Sequence, residues 1–120
     1  MGKCLYICVM NIDNAVDLAK RLMWVNKLRG WRVCLNKDLA NMGLCDYAAK
    51  TIYLSSTLVL LCKYGSVRNT ILHEIAHALT PGHGHDAVWR RKCLILGGDG
   101  KDTFDLRSAL TDLDYLAYLL

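Results

Sequence analysis

No stretch of this sequence is long and apolar enough to span a bilayer, which takes ~20 residues. Its apolar runs, such as residues 5–10 and 58–62, have the length of core segments. No signal-peptide cleavage pattern follows Met1-Gly2-Lys3-Cys4, and Tyr6 stands where a myristoylation signal requires Ser or Thr. The expectation is a cytoplasmic protein with no membrane partner. The six cysteines, at 4, 8, 34, 45, 62 and 93, include no Cys-x-x-Cys pair, which excludes a paired-cysteine zinc ribbon within this sequence. Most are embedded in apolar runs, so they are expected to be reduced core residues rather than a disulfide framework. Cys4 and Cys8 lack the further pair that would complete a second metal site. Repeats, low-complexity tracts and linkers are missing as well. With 120 residues, 53% of them apolar, the chain is expected to form one domain, residues 1–120, around a single core.

Acidic side chains are absent from one region. Lys20, Arg21, Lys27, Arg29, Arg32 and Lys37 occur there without an Asp or Glu between them, and Trp24 and Trp31 interleave. Arg90, Arg91 and Lys92 form a second basic group. Such a pattern can follow a phosphate backbone while aromatic rings stack on unpaired bases, so Lys27, Arg29, Arg32, Arg90 and Arg91 are candidate nucleic-acid contacts. The competing reading is a solvated helix face with core tryptophans, and the net charge of +4 is modest. Asp99, Asp102, Asp105, Asp112 and Asp114 make the end of the chain more acidic.

What is present is concentrated around His73-Glu74-Ile75-Ala76-His77. On a helix of about 3.6 residues per turn, positions i and i+4 share a face. Two neutral imidazoles so placed can hold one Zn²⁺, and the carboxylate beside the first can serve as general base. Ser66 is positioned to cap a helix over residues 67–80, which Pro81-Gly82 stops. Ile71, Leu72, Ile75, Ala78 and Leu79 fall on one stripe of that helix, with His73 and His77 opposite and Glu74 on their flank. The chemistry is therefore expected to face an open surface.

All four histidines lie between residues 73 and 85, and a catalytic zinc takes a third protein ligand. His83 stands six residues past His77, the metzincin interval, but Thr80 occupies the place of that pattern's glycine and no later Met-turn follows. His85 stands four residues before Trp89, just ahead of a helix that Asp86 can cap and Gly97-Gly98 can close. The spacing favours His85; His83 is left as the alternative ligand, a loop bystander, or a group steadying the oxyanion of a tetrahedral intermediate. Asp86 is a local candidate for orienting a ligand imidazole, with helix capping as an equal explanation.

The run Leu72-His73-Glu74-Ile75-Ala76-His77-Ala78-Leu79, followed by Gly84-His85 and Trp89, resembles the SprT-like zinc metalloprotease domain. That family includes the Spartan protease, which clears proteins crosslinked to DNA. Trp31-Arg32-Val33-Cys34-Leu35-Asn36, Met42-Gly43-Leu44 and Lys50-Thr51-Ile52-Tyr53-Leu54-Ser55 are similar to the short strands preceding the active helix there. The likeness spans about residues 13–98 and is specific around the histidines. It implies a zincin-like minimal metalloprotease with Zn²⁺ on His73, His77 and His85, Glu74 as general base, and a protein or peptide substrate. Two departures are visible: the paired Cys-x-x-Cys motifs of a zinc ribbon, which with other appended regions helps some relatives reach DNA, are missing, and the loop from His77 to His85 is short.

The remaining pattern predicts a helix over residues 13–29, with Val16, Ala19, Leu22, Met23 and Leu28 facing inward and Gly30 closing it. Strands are predicted over 31–36, within 39–46 and over 50–54. Residues 56–64 fit strand or helix, the first ten are equally open, and helices are predicted over 86–96 and 105–119. The fold class is α+β, a small, mostly antiparallel sheet with packed helices. By analogy with zincins, an extended substrate could add to an exposed strand edge, for which residues 50–54 are the candidate. The expected function is zinc-dependent hydrolysis of peptide bonds, with DNA-associated proteins among the candidate substrates. The alternatives are a nucleic-acid-binding module with a structural zinc on His73, His77, His83 and His85, and a peptidase for one regulatory protein without DNA. Oligomeric state is not legible.

Overall fold

The structure, a computed structural model, describes residues 11–39 and 41–104. It is α+β: helix α1 (Ile12–Val25), strands β1 (Arg32–Asn36), β2 (Gly43–Asp46) and β3 (Thr51–Ser55), then helices α2 (Ser56–Leu61), α3 (Tyr64–Leu79) and α4 (Ala87–Leu96). The first ten residues and the helix predicted over 105–119 lie outside the described residues.

Helix α1 opens on Asn11, whose side chain accepts a hydrogen bond from the Asn14 N–H at 2.8 Å. It ends at Val25, short of the predicted residue 29, because the chain closes on itself there. The Asn26 side-chain amide donates to the Leu22 carbonyl at 2.8 Å. Lys27 turns left-handed at φ 62°, and the Leu28 N–H reaches back to the Met23 carbonyl at 2.9 Å. This is the closure usually given to glycine, and it folds Leu28 into the core after the helix has ended. Ala15, Leu18, Ala19 and Met23 form the buried face, whereas Val16 and Leu22, expected inside, are only partly buried.

The sheet has the order β1-β3-β2. It is mixed rather than mostly antiparallel: β3 runs parallel to β1 and antiparallel to β2. Two successive reversals return the chain to the direction of β1, and the third strand then inserts between the first two instead of extending a meander. The burial of β3 matches its central place. Ile52 and Leu54 on β3 are fully buried, with Thr51 and Ser55 buried beside them, and a strand covered on both faces belongs at the centre. Residues 50–54 are therefore not an edge available to a substrate; among the described residues the edges are β1 and β2.

Helix α3 starts at Tyr64, earlier than predicted, and Lys63 rather than Ser66 precedes it. The Ser66 and Val67 N–H groups both bond to the Lys63 carbonyl at 3.1 Å, which places Ser66 inside the first turn. At the other end the Thr80 hydroxyl donates to the Ala76 carbonyl at 2.7 Å, and Gly82 adopts φ 84°. Ile71, Leu72, Ile75 and Ala78 are buried as expected, and Leu79 partly so. Val67, Thr70, Glu74 and Ala76 are buried too. The helix is enclosed because α1 and the sheet cover one side while α4 covers another, where Ala76, Trp89 and Cys93 form a second small core.

Cys34, Cys45, Cys62 and Cys93 are free thiols. Cys62 and Cys93 are buried, but Cys34 is exposed, because it shares the outward face of edge strand β1 with Arg32 and Asn36. Among the described residues no helix is long and apolar enough to cross a membrane.

Candidate metal centre

Helix α3 sets His73 and His77 one turn apart, and the loop after it carries His85 back toward both. The His85 Nε2 lies 3.0 Å from His77 Nε2 and 3.0 Å from His73 Nε2. Two imidazoles on a tetrahedral zinc, each at about 2.0–2.1 Å, have nitrogens about 3.3 Å apart. Hydrogen bonding alone does not account for the convergence, since a neutral imidazole carries one N–H and three rings here aim the same atom at one point. The donor set fits a borderline-soft divalent cation, and His73, His77 and His85 can hold one.

Three contacts hold the rings. Trp89 is fully buried beneath them, its indole N–H donating to the His73 carbonyl at 3.2 Å and its ring stacked on His77 with a 21° interplanar angle. The Tyr47 hydroxyl donates to the His77 carbonyl, tying the β2–β3 turn to the helix. Burial, followed by the neighbouring rings, pushes His73 down to about 4; burial, followed by His85, does the same to His77. Both are neutral at physiological pH, the state metal ligation needs.

Asp86 does not orient a member of this group. One oxygen caps α4 by accepting the Trp89 N–H at 3.0 Å, and the other meets His83 Nδ1 at 2.8 Å. His83 lines the same cleft but stands outside the converging triad.

Glu74 departs from its expected place on an open flank. It is 6% exposed, and its Oε2 lies 4.0 Å from His73 Nε2. Burial pushes its carboxyl up to about 8. It is also the only glutamate in the chain. Strand β2 also closes on this carboxylate, with Gly43 lying directly against it.

The cleft around the site has a volume of about 700 Å³. Edge strand β2 forms one wall, and residues 101–104, with Phe104 partly exposed, contribute to another. Gly43, Tyr47, Asn69, Thr70 and Lys101 are site-lining residues that sequence reasoning missed. Only Gly43 carried a local signal, a glycine within a strand pattern, which often marks a close approach.

The basic candidates are elsewhere. The Arg29 guanidinium lies 3.7 Å over the ring of Trp24 and donates to the Trp24 carbonyl at 2.7 Å. Trp24 is 67% exposed and so is no core residue, while Trp31 is partly buried, edge-on to Tyr47. Arg90 donates to the Gly100 carbonyl at 3.0 Å. Lys27, Arg32 and Arg91 are exposed, and none of these five basic side chains lines the cleft.

A small mixed sheet followed by a helix bearing two histidines and a buried glutamate, with a third histidine from the next loop, defines a zincin-like domain. A sequence profile of the SprT-like family matches residues 12–104. The chain belongs to the SprT-like family, whose domains are metalloprotease-like. No curated protein and no solved structure gives a match.

Proposed function

We propose that this protein is a zinc-dependent endopeptidase. The observation that carries the reading is the convergence of three imidazole nitrogens beside a buried carboxylate, 4.0 Å from the nearest of them. Bound there, zinc supplies Lewis acidity and lowers the pKa of water toward ~7. Glu74 is the general base: it takes a proton from the attacking water and returns it to the departing amine. Burial alone would keep this carboxyl protonated near neutral pH; a cation on the neighbouring histidines would favour its ionised form, the form that accepts the proton.

Substrate binding falls to β2. The Ser55 N–H bonds to the Met42 carbonyl at 2.8 Å, and in an antiparallel ladder the bonded pairs alternate. The N–H and C=O groups of Gly43 and Cys45 therefore point away from β3. An extended peptide pairing with that edge runs along the cleft wall beside Glu74. Recognition of this kind reads backbone more than side chains and suits unfolded or extended protein segments.

Glu74→Gln is expected to abolish cleavage of fluorescein-labelled casein while retaining stoichiometric zinc by elemental analysis. Equal cutting by parent and variant would show the base assignment to be wrong. A structural four-histidine zinc is disfavoured by the pairing of His83 with Asp86. Contact with single-stranded DNA is a second reading, motivated by exposed Trp24 with Arg29 over its ring. It predicts that Arg29→Ala/Arg32→Ala weakens binding of a single-stranded oligonucleotide; no binding by the parent removes it and leaves a peptidase that acts without DNA.

A further inference from the structure

Strand β2 and helix α3 meet at a residue with no side chain. A Cβ on Gly43 would stand 3.0 Å from Glu74 Cγ, 3.0 Å from Glu74 Oε2 and 3.0 Å from Thr70 Cγ2. Ordinary carbon contacts lie at ~3.5–4.0 Å, so the two carbon approaches are too close, the oxygen approach is tight as well, and the neighbours would have to give way. Thr70 and Glu74 stand one turn apart on the same face of α3, and both are buried. Gly43 does not have the left-handed backbone found at Gly30, Gly82, Gly97 and Gly100. What the position requires is space, not conformational freedom.

We infer that Gly43 is a positioning residue for Glu74: its missing side chain lets the β2 edge close on the carboxylate and confines it beside His73. The inference rests on the peptidase reading of the same site. It joins two tasks at one residue, since the backbone of Gly43 faces the edge of β2 that no described strand covers, while its α-carbon packs on the base. A β-carbon there leaves two exits, either β2 lifting from α3 or the carboxylate swinging away. Both change the distance between a peptide paired on β2 and the group that moves the proton.

Glu74 is the only glutamate, so labelling with glutamate carrying ¹³C at the side-chain carboxyl gives a single reporter resonance. The experiment compares parent, Gly43→Ala, Leu44→Ala and Glu74→Gln by ¹³C NMR, zinc content, and kinetics on fluorescein-labelled casein. In Gly43→Ala the carboxyl resonance is expected to move well beyond the change in Leu44→Ala, with zinc stoichiometry retained. Its kcat is expected to fall roughly ten- to a hundredfold while KM stays within about threefold, the signature of misplacement rather than lost binding. A folded Gly43→Ala protein whose resonance is unmoved overturns the inference, whatever its rate. So does a moved resonance with parental kcat. If Gly43→Ala does not fold, Gly43→Ala/Thr70→Ala, which relieves the Thr70 contact, takes its place. A parent no more active than Glu74→Gln overturns the peptidase reading, and the resonance still decides whether Gly43 sets the carboxylate's position.

Discussion

Glu74 and the two helix histidines are shifted in opposite directions by one cause. Burial disfavours charge, so the acid keeps its proton up to about 8 while the bases lose theirs near 4. In the unfolded chain the ordinary values are 4.5 for Glu74 and 6.5 for the histidines. Between about pH 4 and 6.5 the folded histidines bind fewer protons than unfolded ones, so stability rises with pH. From about pH 4.5 to 8 the folded carboxyl binds more, so stability falls as pH rises. Two histidines outweigh one glutamate until about pH 6.5, above which Glu74 acts alone. Protein stripped of metal by a chelator should therefore melt highest near pH 6.5, with a decline toward pH 8 that Glu74→Gln removes; thermal melts across that range check it. At the same scale, His73→Ala, His77→Ala and His85→Ala should each lose zinc in elemental analysis, while His83→Ala retains it. Zinc lost from His83→Ala and kept by His85→Ala would reassign the third ligand.

The site is held by how helices begin and end. Asp86 is both the N-cap of α4 and the partner of His83, and the cap fixes where Trp89 starts beneath the triad. Asp86→Ala should lower stability by about 1 kcal/mol in denaturant titration, the usual cost of a lost cap. Trp89→Phe keeps most of the apolar volume but removes the N–H bonded to the His73 carbonyl. Its zinc affinity should drop roughly tenfold, as for other outer contacts to a ligand, measured by competition with a chromogenic chelator. A helix prediction places residues 86–96 well because cap, apolar pattern and closing Gly97 all agree. It misplaces the end of α1 because the closure there uses Asn26 and a left-handed Lys27, a task sequence patterns assign to glycine.

For the whole molecule, a metal ion held by His73, His77 and His85 would join α3 to the loop that leads into α4, so metal binding should stabilise the packing of the two helices. At about a hundred times its Kd, a ligand adds about 2.7 kcal/mol to the folded state, roughly a 10 °C rise in Tm for a chain of this size. Scanning calorimetry with and without zinc tests this, and no shift would count against metal binding. The sequence by itself determined the elements that depend on near neighbours. Helical spacing put His73 and His77 on one face, Asp86 and Gly97 bounded α4, and alternation marked the strands. Tertiary structure alone decided three things. It placed β3 in the centre, because its burial on both faces is a property of what packs around it. It paired His83 with Asp86, and it brought His85, which the spacing already favoured, within 3.0 Å of both helix histidines. It buried Glu74 against Gly43, 31 positions earlier in the chain. No local pattern carries that last contact, because desolvation and close packing arise only when distant segments meet.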